Sequence, residues 1–146
     1  MRAGKHRGRE GMKLGFGTQL WLRDNHLEHW YRMLDEMSLA GLDGLEMCYP
    51  FLYEWYAGRE QELRDLLALH DLELSAYYLG LTFDRDDERR SGEARFRERC
   101  DFCAALGSRV VLLDGGRKRP GATAQDLDDH VSLVAETANA LGAYAR

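Results

Sequence analysis

Three stretches of the sequence decide the fold: residues 39–48 (LAGLDGLEMC), 67–79 (LALHDLELSAYYL) and 104–116 (AALGSRVVLLDGG). In each stretch a helical pattern ends at small or polar residues, and a short apolar segment typical of a β-strand follows directly. The stretches recur at a spacing of roughly 30 residues, which is the size of one βα unit. The sequence therefore predicts a series of consecutive strand–helix units.

The pattern predicts four strands, at about residues 13–21, 44–48, 73–79 and 109–113. Alternation along the second strand places Leu45 and Met47 on one face, and Glu46 and Cys48 on the other. Helices are expected after Asn25 as the cap, at about residues 59–70 and 92–106, and from near Thr123 onwards. The last helix has the clearest apolar stripe, formed by Leu127, Val131, Val134, Ala138, Leu141 and Ala145.

Alternating strands and helices imply parallel strands with right-handed connections. The predicted fold class is α/β: four consecutive βα units, half of a (β/α)8 TIM barrel, truncated before strand five. A complete barrel needs about 250 residues, and this chain has 146. An open, doubly wound sheet is the alternative, but it requires a phosphate-binding glycine turn after an early strand. The segment 17–25 (GTQLWLRDN) has no such turn, so we favour the half barrel.

The charge and composition of the chain restrict the classes of partner and the location that can be expected for it. Residues 1–11 carry four basic side chains against Glu10, and we expect them to form a disordered basic tail preceding a half barrel at 12–146. The net charge is −5 for the chain, so −8 remains for 12–146, which argues against nucleic acid as a partner. No apolar run is long enough for a membrane span. Three cysteines form no disulfide framework, which favours a cytoplasmic location.

Several segments together resemble one known family. These are GTQLW at 17–21, LDEMSLAGLDGLEM at 34–47, RDLLALHDLELSAYYL at 64–79 and CDFCAALGSRVVLLDGG at 100–116. The chain resembles the N-terminal half of the sugar phosphate isomerase/epimerase family, which has a xylose isomerase-like TIM barrel. The resemblance covers about residues 12–146, and its most specific parts are AGLDGLE and ALGSRVVLL.

The resemblance implies a metal-dependent isomerase, epimerase or dehydratase that acts on small sugars or polyols. Members of the family hold a divalent ion with Glu, Asp, His and Glu near the ends of strands five to eight. The four strands predicted here include none of those strands. A divalent metal is therefore implied for the full-length family and none is expected for this chain alone, and no catalytic residue or metal ligand can be transferred to it.

A sister family, the DNA-repair enzymes of the endonuclease IV type, shares the barrel and places zinc-binding histidines after strands three and four. The corresponding positions here read Tyr77-Tyr78 and Asp114-Gly115-Gly116. Neither contains histidine, and residues 12–146 are acidic, so this alternative is not favoured.

Five residues are predicted to contact substrate, because the site of a β/α barrel is built at the carboxyl ends of its strands. They are Trp21, Glu46, Tyr49, Tyr78 and Asp114. A carboxylate within an apolar strand, such as that of Glu46, needs a partner or a polar cavity. Glu46 is thus expected either to face the barrel mouth, where it could hydrogen-bond a sugar hydroxyl or orient a metal ligand, or to form a structural salt bridge to an arginine of a strand missing from this half. The aromatic side chains could stack on a sugar ring or pack in the core.

Four other motifs have simpler explanations. Gly115-Gly116 with Arg117, Lys118 and Arg119 could bind an anion, although a solvated turn is favoured. His26 and His29 have helical spacing suited to a metal, but a third ligand is missing. Cys100 and Cys103 lie deep in a helix, where packing is favoured over redox chemistry. Residues 82–95 (TFDRDDERRSGEAR) could form a lid or a solvated loop.

Two hypotheses follow for the function. In the first, the chain is half of an enzyme and supplies the substrate-side wall, with a small sugar or polyol as ligand. In the second, it is a non-enzymatic half barrel that acts only by association, because open strand edges and uncovered apolar layers favour pairing. The partner is then a second copy of the chain or a complementary C-terminal half barrel.

Overall fold

The computed structural model describes residues 13–18, 26–80, 86–114 and 121–145. The elements along the chain are β1 (Gly15–Gly17), α1 (Leu27–Leu39), β2 (Gly44–Met47), α2 (Pro50–Tyr56), α3 (Glu60–Leu69), β3 (Glu73–Gly80), α4 (Asp86–Ala105), β4 (Val111–Asp114) and α5 (Ala124–Tyr144). The predicted N-terminal tail at 1–11 lies outside the described residues.

The four strands form one parallel sheet in the order β1-β2-β3-β4. A parallel sheet in sequential order, with right-handed connections, places all of its helices on one face. A doubly wound sheet would instead reverse its strand order at some point. The predicted series of four parallel βα units is therefore confirmed, and the sheet has the topology of a half barrel.

The hydrophobic core lies between the sheet and the helices. Its fully buried members include Trp30 and Leu34 of α1, Leu45 and Met47 of β2, and Leu63 of α3. Leu45 and Met47 are both completely buried, whereas Glu46 between them is only partly so. The alternation predicted for the second strand is thus confirmed, and the face carrying Glu46 is the concave face of the half barrel.

The concave face is more open at β4. Val110, directly before β4, is 44% exposed, and Leu112 within β4 is 40% exposed. Leu112 lies in register with Tyr78 of β3. Alternation puts Leu112 on the side opposite the helices, which in a closed barrel faces the interior.

The register between β2 and β3 shifts by one residue. Leu45 pairs with Leu74, but Glu46 pairs with Ala76, so Ser75 is the extra residue of a β-bulge. The hydroxyl of Ser75 donates to the carbonyl of Leu45 at 2.7 Å. The bulge therefore sets small Ala76, rather than Ser75, beside the carboxylate-bearing residue of β2.

Helix ends agree with the sequence in part. Gly41 and Gly107 end α1 and α4 with φ values of 74° and 81°, the left-handed conformation expected of a glycine after a helix. At the start of α1 the N-cap is His26 and no side chain caps it, so the prediction of Asn25 as the cap was wrong by one position. The predicted loop at 82–95 is mostly helical, because α4 already starts at Asp86.

The face that α5 buries differs from the predicted stripe. Leu127, Val134 and Leu141 are at least partly covered, but Val131 is 65% exposed and Ala138 is also exposed. Thr137 is buried instead, because its hydroxyl donates to the carbonyl of Leu133 at 2.8 Å and so satisfies its polar group within the helix. The covered face is rotated from the predicted one because a threonine can be buried in this way.

Among the described helices, none combines the length and apolarity needed to cross a bilayer.

The start of α5 matches the prediction and supports a mutational test. Thr123 Oγ1 accepts from the Asp126 backbone N–H at 3.2 Å, and the Asp126 carboxylate accepts from the Thr123 backbone N–H at 2.8 Å. Because this capping box satisfies two otherwise unpaired donors, Thr123→Ala is expected to lower the free energy of unfolding by about 1 kcal/mol. Urea denaturation followed by circular dichroism measures it. Ser132→Ala, an exposed change within the same helix, is the control and should stay within about 0.5 kcal/mol; equal effects of the two changes would argue against the cap.

Candidate functional site

Glu46 lies on the concave face of β2, between two small residues of the neighbouring strands. It is in register with Gly17 of β1 and with Ala76 of β3. A Cβ atom built on Gly17 would lie 3.8 Å from Oε1 of Glu46, so the carboxylate leans over β1. Neither neighbour has a large side chain, so no bulky side chain lies beside the Glu46 carboxylate at these two positions.

Next to Glu46, the ends of β1 and β2 are joined by Thr18 and Cys48. Thr18 is completely buried, and its hydroxyl lies 2.9 Å from the Cys48 Sγ atom. Burial raises the pKa of the Cys48 thiol, the contact with Thr18 opposes the rise, and the charge of Glu46 adds to it. A thiol with a raised pKa is a weak nucleophile at neutral pH, so Cys48 shapes the site rather than reacting in it. Sequence reasoning did not single out this pair.

The two tyrosines predicted at the end of the third strand lie on opposite faces. Tyr77 is buried among the helices, and its hydroxyl donates to the carbonyl of Tyr49 at 3.4 Å. Tyr78 is half-buried and pairs with Leu112, so alternation places it on the concave face with Glu46. Of the two, Tyr78 therefore shares a face with Glu46, and Tyr77 is a core residue.

Tyr49 is the N-cap of α2, a seven-residue helix that the sequence analysis did not predict. Pro50 occupies its first turn, where proline is favoured because no backbone N–H is needed. The ring of Tyr49 stacks on that of Phe51 with centroids 5.1 Å apart and planes inclined by 14°. Tyr49 thus belongs to an aromatic cluster directly after β2.

A buried arginine holds α2 against α4. Arg99 of α4 is 7% exposed, and its guanidinium carbon lies 3.1 Å from the ring centroid of Tyr53 and 5.7 Å from that of Tyr77. Its Nε atom has no hydrogen-bond partner among the described residues. Cation–π contacts with two rings offset part of the cost of burying this charge, and they fix the orientation of α2.

Of the remaining predicted site residues, the structure gives a backbone position for Asp114 and does not describe the others. Asp114 is the last residue of β4, in register with Gly80, at the carboxyl end of the sheet. Trp21 lies outside the described residues, as do Gly115, Gly116, Arg117, Lys118 and Arg119 of the predicted anion site. The structure therefore brings Glu46 and Tyr78 onto one face and places Tyr49 and Asp114 at the strand ends.

The described part of the chain offers no set of side chains that fits a divalent metal ion. His26 and His29 form an edge-to-face ring pair with centroids 5.6 Å apart at the start of α1. Over the described ranges 13–18, 26–80, 86–114 and 121–145, no three His, Cys, Asp or Glu side chains are grouped so that they could hold a metal.

Cys100 and Cys103 are both free, and Cys103 is buried in the core. Burial raises the pKa of the Cys103 thiol to about 12 and raises that of Cys100 as well. Redox-active cysteine pairs instead require a lowered pKa. This geometry supports the interpretation of the pair as packing residues.

The raised pKa of Cys103 predicts a loss of stability in alkali. In the unfolded chain the thiol ionises near pH 9, whereas the folded chain keeps its proton until about pH 12. Its contribution to stability is therefore complete below pH 9 and falls as the pH rises. Between pH 9 and pH 10 the free energy of unfolding of the native chain should decrease by roughly 1 kcal/mol more than that of Cys103→Ala. Urea titrations at the two pH values measure this difference, and parallel slopes would contradict it.

The fold and the site together define half of a parallel β/α barrel whose concave face and strand ends carry polar and aromatic side chains. The sequence profile of the xylose isomerase-like TIM barrel matches residues 34–146, which is more than half of the chain. The chain therefore belongs to the xylose isomerase-like TIM barrel family, and the resemblance found in the sequence is confirmed.

Solved structures with a similar fold include a sugar phosphate isomerase/epimerase from Parabacteroides distasonis ATCC 8503, at a TM-score of 0.67 and 16% identity, covering 99% of this chain and 52% of that one. D-Psicose 3-epimerase with D-tagatose from Clostridium cellulolyticum H10 matches at a TM-score of 0.67 and 16% identity, over 92% of this chain and 50% of that one. An IolI protein with a bound zinc atom matches at a TM-score of 0.64 and 19% identity, over 90% of this chain and 49% of that one. At these identities the similarity shows the fold, and the chain spans about half the length of each structure. None of the curated protein sequences matches it.

Proposed function

We propose that this chain is the N-terminal half of a metal-dependent sugar or sugar phosphate isomerase or epimerase, and that it is inactive alone. The observation that carries the proposal is the position of Glu46, a half-buried carboxylate between Gly17 and Ala76 on the concave face of a barrel of this family. Carboxylate oxygens accept hydrogen bonds from hydroxyl groups, which small sugars and polyols present in abundance.

In this proposal the chain supplies the substrate-side wall, formed by Trp21, Glu46, Tyr49, Tyr78 and Asp114. These residues bind and orient the sugar, whereas the divalent ion and the groups that move the proton belong to the other half. The zinc atom in the IolI structure supports the use of a metal within the fold. A cytoplasmic location is part of the proposal, supported by three free cysteines.

The test compares this chain with a longer one. We expect the reading frame beyond the codon for Arg146 to encode four more βα units with Glu, Asp, His and Glu near their strand ends. The 146-residue chain should show no epimerisation of ketohexoses or their phosphates with Mg²⁺, Mn²⁺ or Co²⁺, and the longer chain should show it. In the longer chain Glu46→Gln should raise KM without changing the bound metal. Metal-dependent turnover by the monomeric 146-residue chain would refute its dependence on a second half.

A second candidate function is association with another copy of the chain. The exposure of Val110 and Leu112 favours it, because apolar residues of an edge strand stabilise pairing when they are covered. In this form, β1 of each copy pairs with β4 of the other and closes a barrel. Light scattering coupled to gel filtration distinguishes the two candidates: a concentration-dependent dimer supports association, and a monomer at every concentration excludes it.

A further inference from the structure

Helix α2 is an addition to the repeating βα pattern, and it presents aromatic side chains on two flanks. Leu52 and Tyr56 face the core and are buried. Tyr53 packs on the other side against Phe102 of α4, with ring centroids 5.2 Å apart. The flank that carries Phe51 and Trp55 is only half-buried, so a short helix leaves two large rings partly open to solvent.

These two rings and Tyr49 form a continuous surface, here called the aromatic platform (Tyr49, Phe51 and Trp55). Tyr49 and Phe51 are stacked at 5.1 Å, and Phe51 and Trp55 are tilted by 55° at 5.0 Å. Because Phe51 and Trp55 are four residues apart, they lie on one side of the helix. The platform therefore exposes adjacent aromatic surface rather than isolated rings.

The platform is held rigidly from behind. The indole N–H of Trp30 donates to the hydroxyl of Tyr56 at 3.0 Å in a buried contact. Arg99 covers the ring of Tyr53, and the guanidinium of Arg59 donates to the carbonyl of Trp55 at 3.2 Å. These contacts fix the position of α2, so the helix that carries the platform need not be ordered when a ligand binds.

Its position connects the platform to the concave face. Tyr49 follows the last residue of β2 by two positions and Glu46 by three, at the carboxyl end where β/α barrels build their sites. Glu54 is exposed and lies three residues after Phe51, on the same side of α2. Aromatic surface with a carboxylate at its border resembles in composition the lining of a small-molecule site.

We propose that the aromatic platform binds the ring of a cyclic sugar. The C–H bonds on one face of a pyranose are weakly positive and match the negative face of an aromatic ring, while Glu54 accepts from the hydroxyl groups at the ring edge. An open-chain polyol has the same hydroxyl groups but no rigid apolar face. The inference rests on the proposed function, and it adds that the enzyme selects cyclic over acyclic substrates through α2.

The experiment uses the 146-residue chain and two probes of matched polarity. Methyl β-D-glucopyranoside supplies a locked ring, and D-glucitol supplies the open chain. The nuclear magnetic resonance signal of the Trp55 indole N–H, assigned by its loss in Trp55→Leu, is followed as each probe is added. We expect a saturable shift with the glycoside and no comparable shift with D-glucitol.

Binding by the variants is measured by saturation transfer to the glycoside. Trp55→Leu and Phe51→Leu keep apolar side chains but remove a ring, and each should weaken binding roughly tenfold. Tyr144→Leu removes an exposed ring from α5 and should leave binding unchanged. Equal shifts with both probes, or unchanged binding in both platform variants, would overturn the inference.

This readout is independent of turnover. If the longer chain shows no metal-dependent activity, the proposed function fails while glycoside binding can still be measured. If the glycoside does not bind but the longer chain is active, only the inference about α2 fails.

Discussion

Replacing Trp30 with alanine is expected to lower the free energy of unfolding by about 3–5 kcal/mol. Trp30 is completely buried and is the largest side chain of the core. Its indole N–H donates to the Tyr56 hydroxyl at 3.0 Å, so the residue joins α1 to α2. The substitution leaves a large cavity and removes the indole donor from the buried Tyr56 hydroxyl. Since domains have only about 5–15 kcal/mol of stability, the variant should be close to unfolding.

Two further variants separate the contributions at this position. Trp30→Phe keeps a ring and removes the donor, so it should be less destabilising than Trp30→Ala. Tyr31→Ala removes an aromatic side chain of the same helix that is 42% exposed, and it should cost far less. All three are measured by urea denaturation with circular dichroism. A loss below roughly 1 kcal/mol for Trp30→Ala, which is less than the removal of a large core side chain usually costs, would contradict the burial of this residue.

Gly44→Ala is expected to separate β2 from β3. A Cβ atom at this position would lie 2.8 Å from the carbonyl oxygen of Glu73 and 3.2 Å from its Cγ atom. The first of these is a backbone atom in the paired strand, so relief requires the strands to move apart. Forced overpacking of this kind typically costs about 1–3 kcal/mol. Lower thermal stability and faster amide hydrogen exchange in residues 73–77 would report the separation.

Gly80→Ala is the matched control, because Gly80 is also a strand glycine. A Cβ atom built on it meets nothing within 4 Å, and its backbone lies outside the left-handed region. The change should be neutral or stabilise by a few tenths of a kcal/mol, since alanine has fewer unfolded conformations to lose. Similar losses in the two variants would show that the close contact at Gly44 does not determine the effect.

The sheet could be predicted from the sequence because its strands are short apolar segments bounded by clear helix ends. In residues 39–48 the helix ends at Gly41, which adopts φ 74°, and alternation then positions Leu45, Glu46 and Met47 correctly. Parallel strands buried by helices require such continuous apolar segments. Glu46 stood out in the sequence for the same reason that it is informative in the structure: its neighbours in β2 are buried.

Helix α2 could not be predicted in this way. The segment 49–57 (YPFLYEWYA) is apolar on nearly every side and spans two turns, so it has no amphipathic period to detect. The β-bulge at Ser75 was missed because it depends on the pairing of two strands distant in sequence. The contact between Arg99 and Tyr53 could not be predicted either, because it joins side chains of two separate helices.

The sequential strand order has a consequence for how the chain folds during synthesis. Each strand pairs with the one translated just before it: Gly44 with Gly15, Glu73 with Gly44, and Leu112 with Tyr78. No strand of the described sheet must wait for a partner from a remote part of the chain. Domains begin to fold while the ribosome adds about 5–20 residues per second, so each βα unit can dock on its predecessor within seconds of emerging. While the sheet grows, β1 remains one edge and the newest strand is always the other, so chaperones would meet one fixed edge and one that moves as each unit is added.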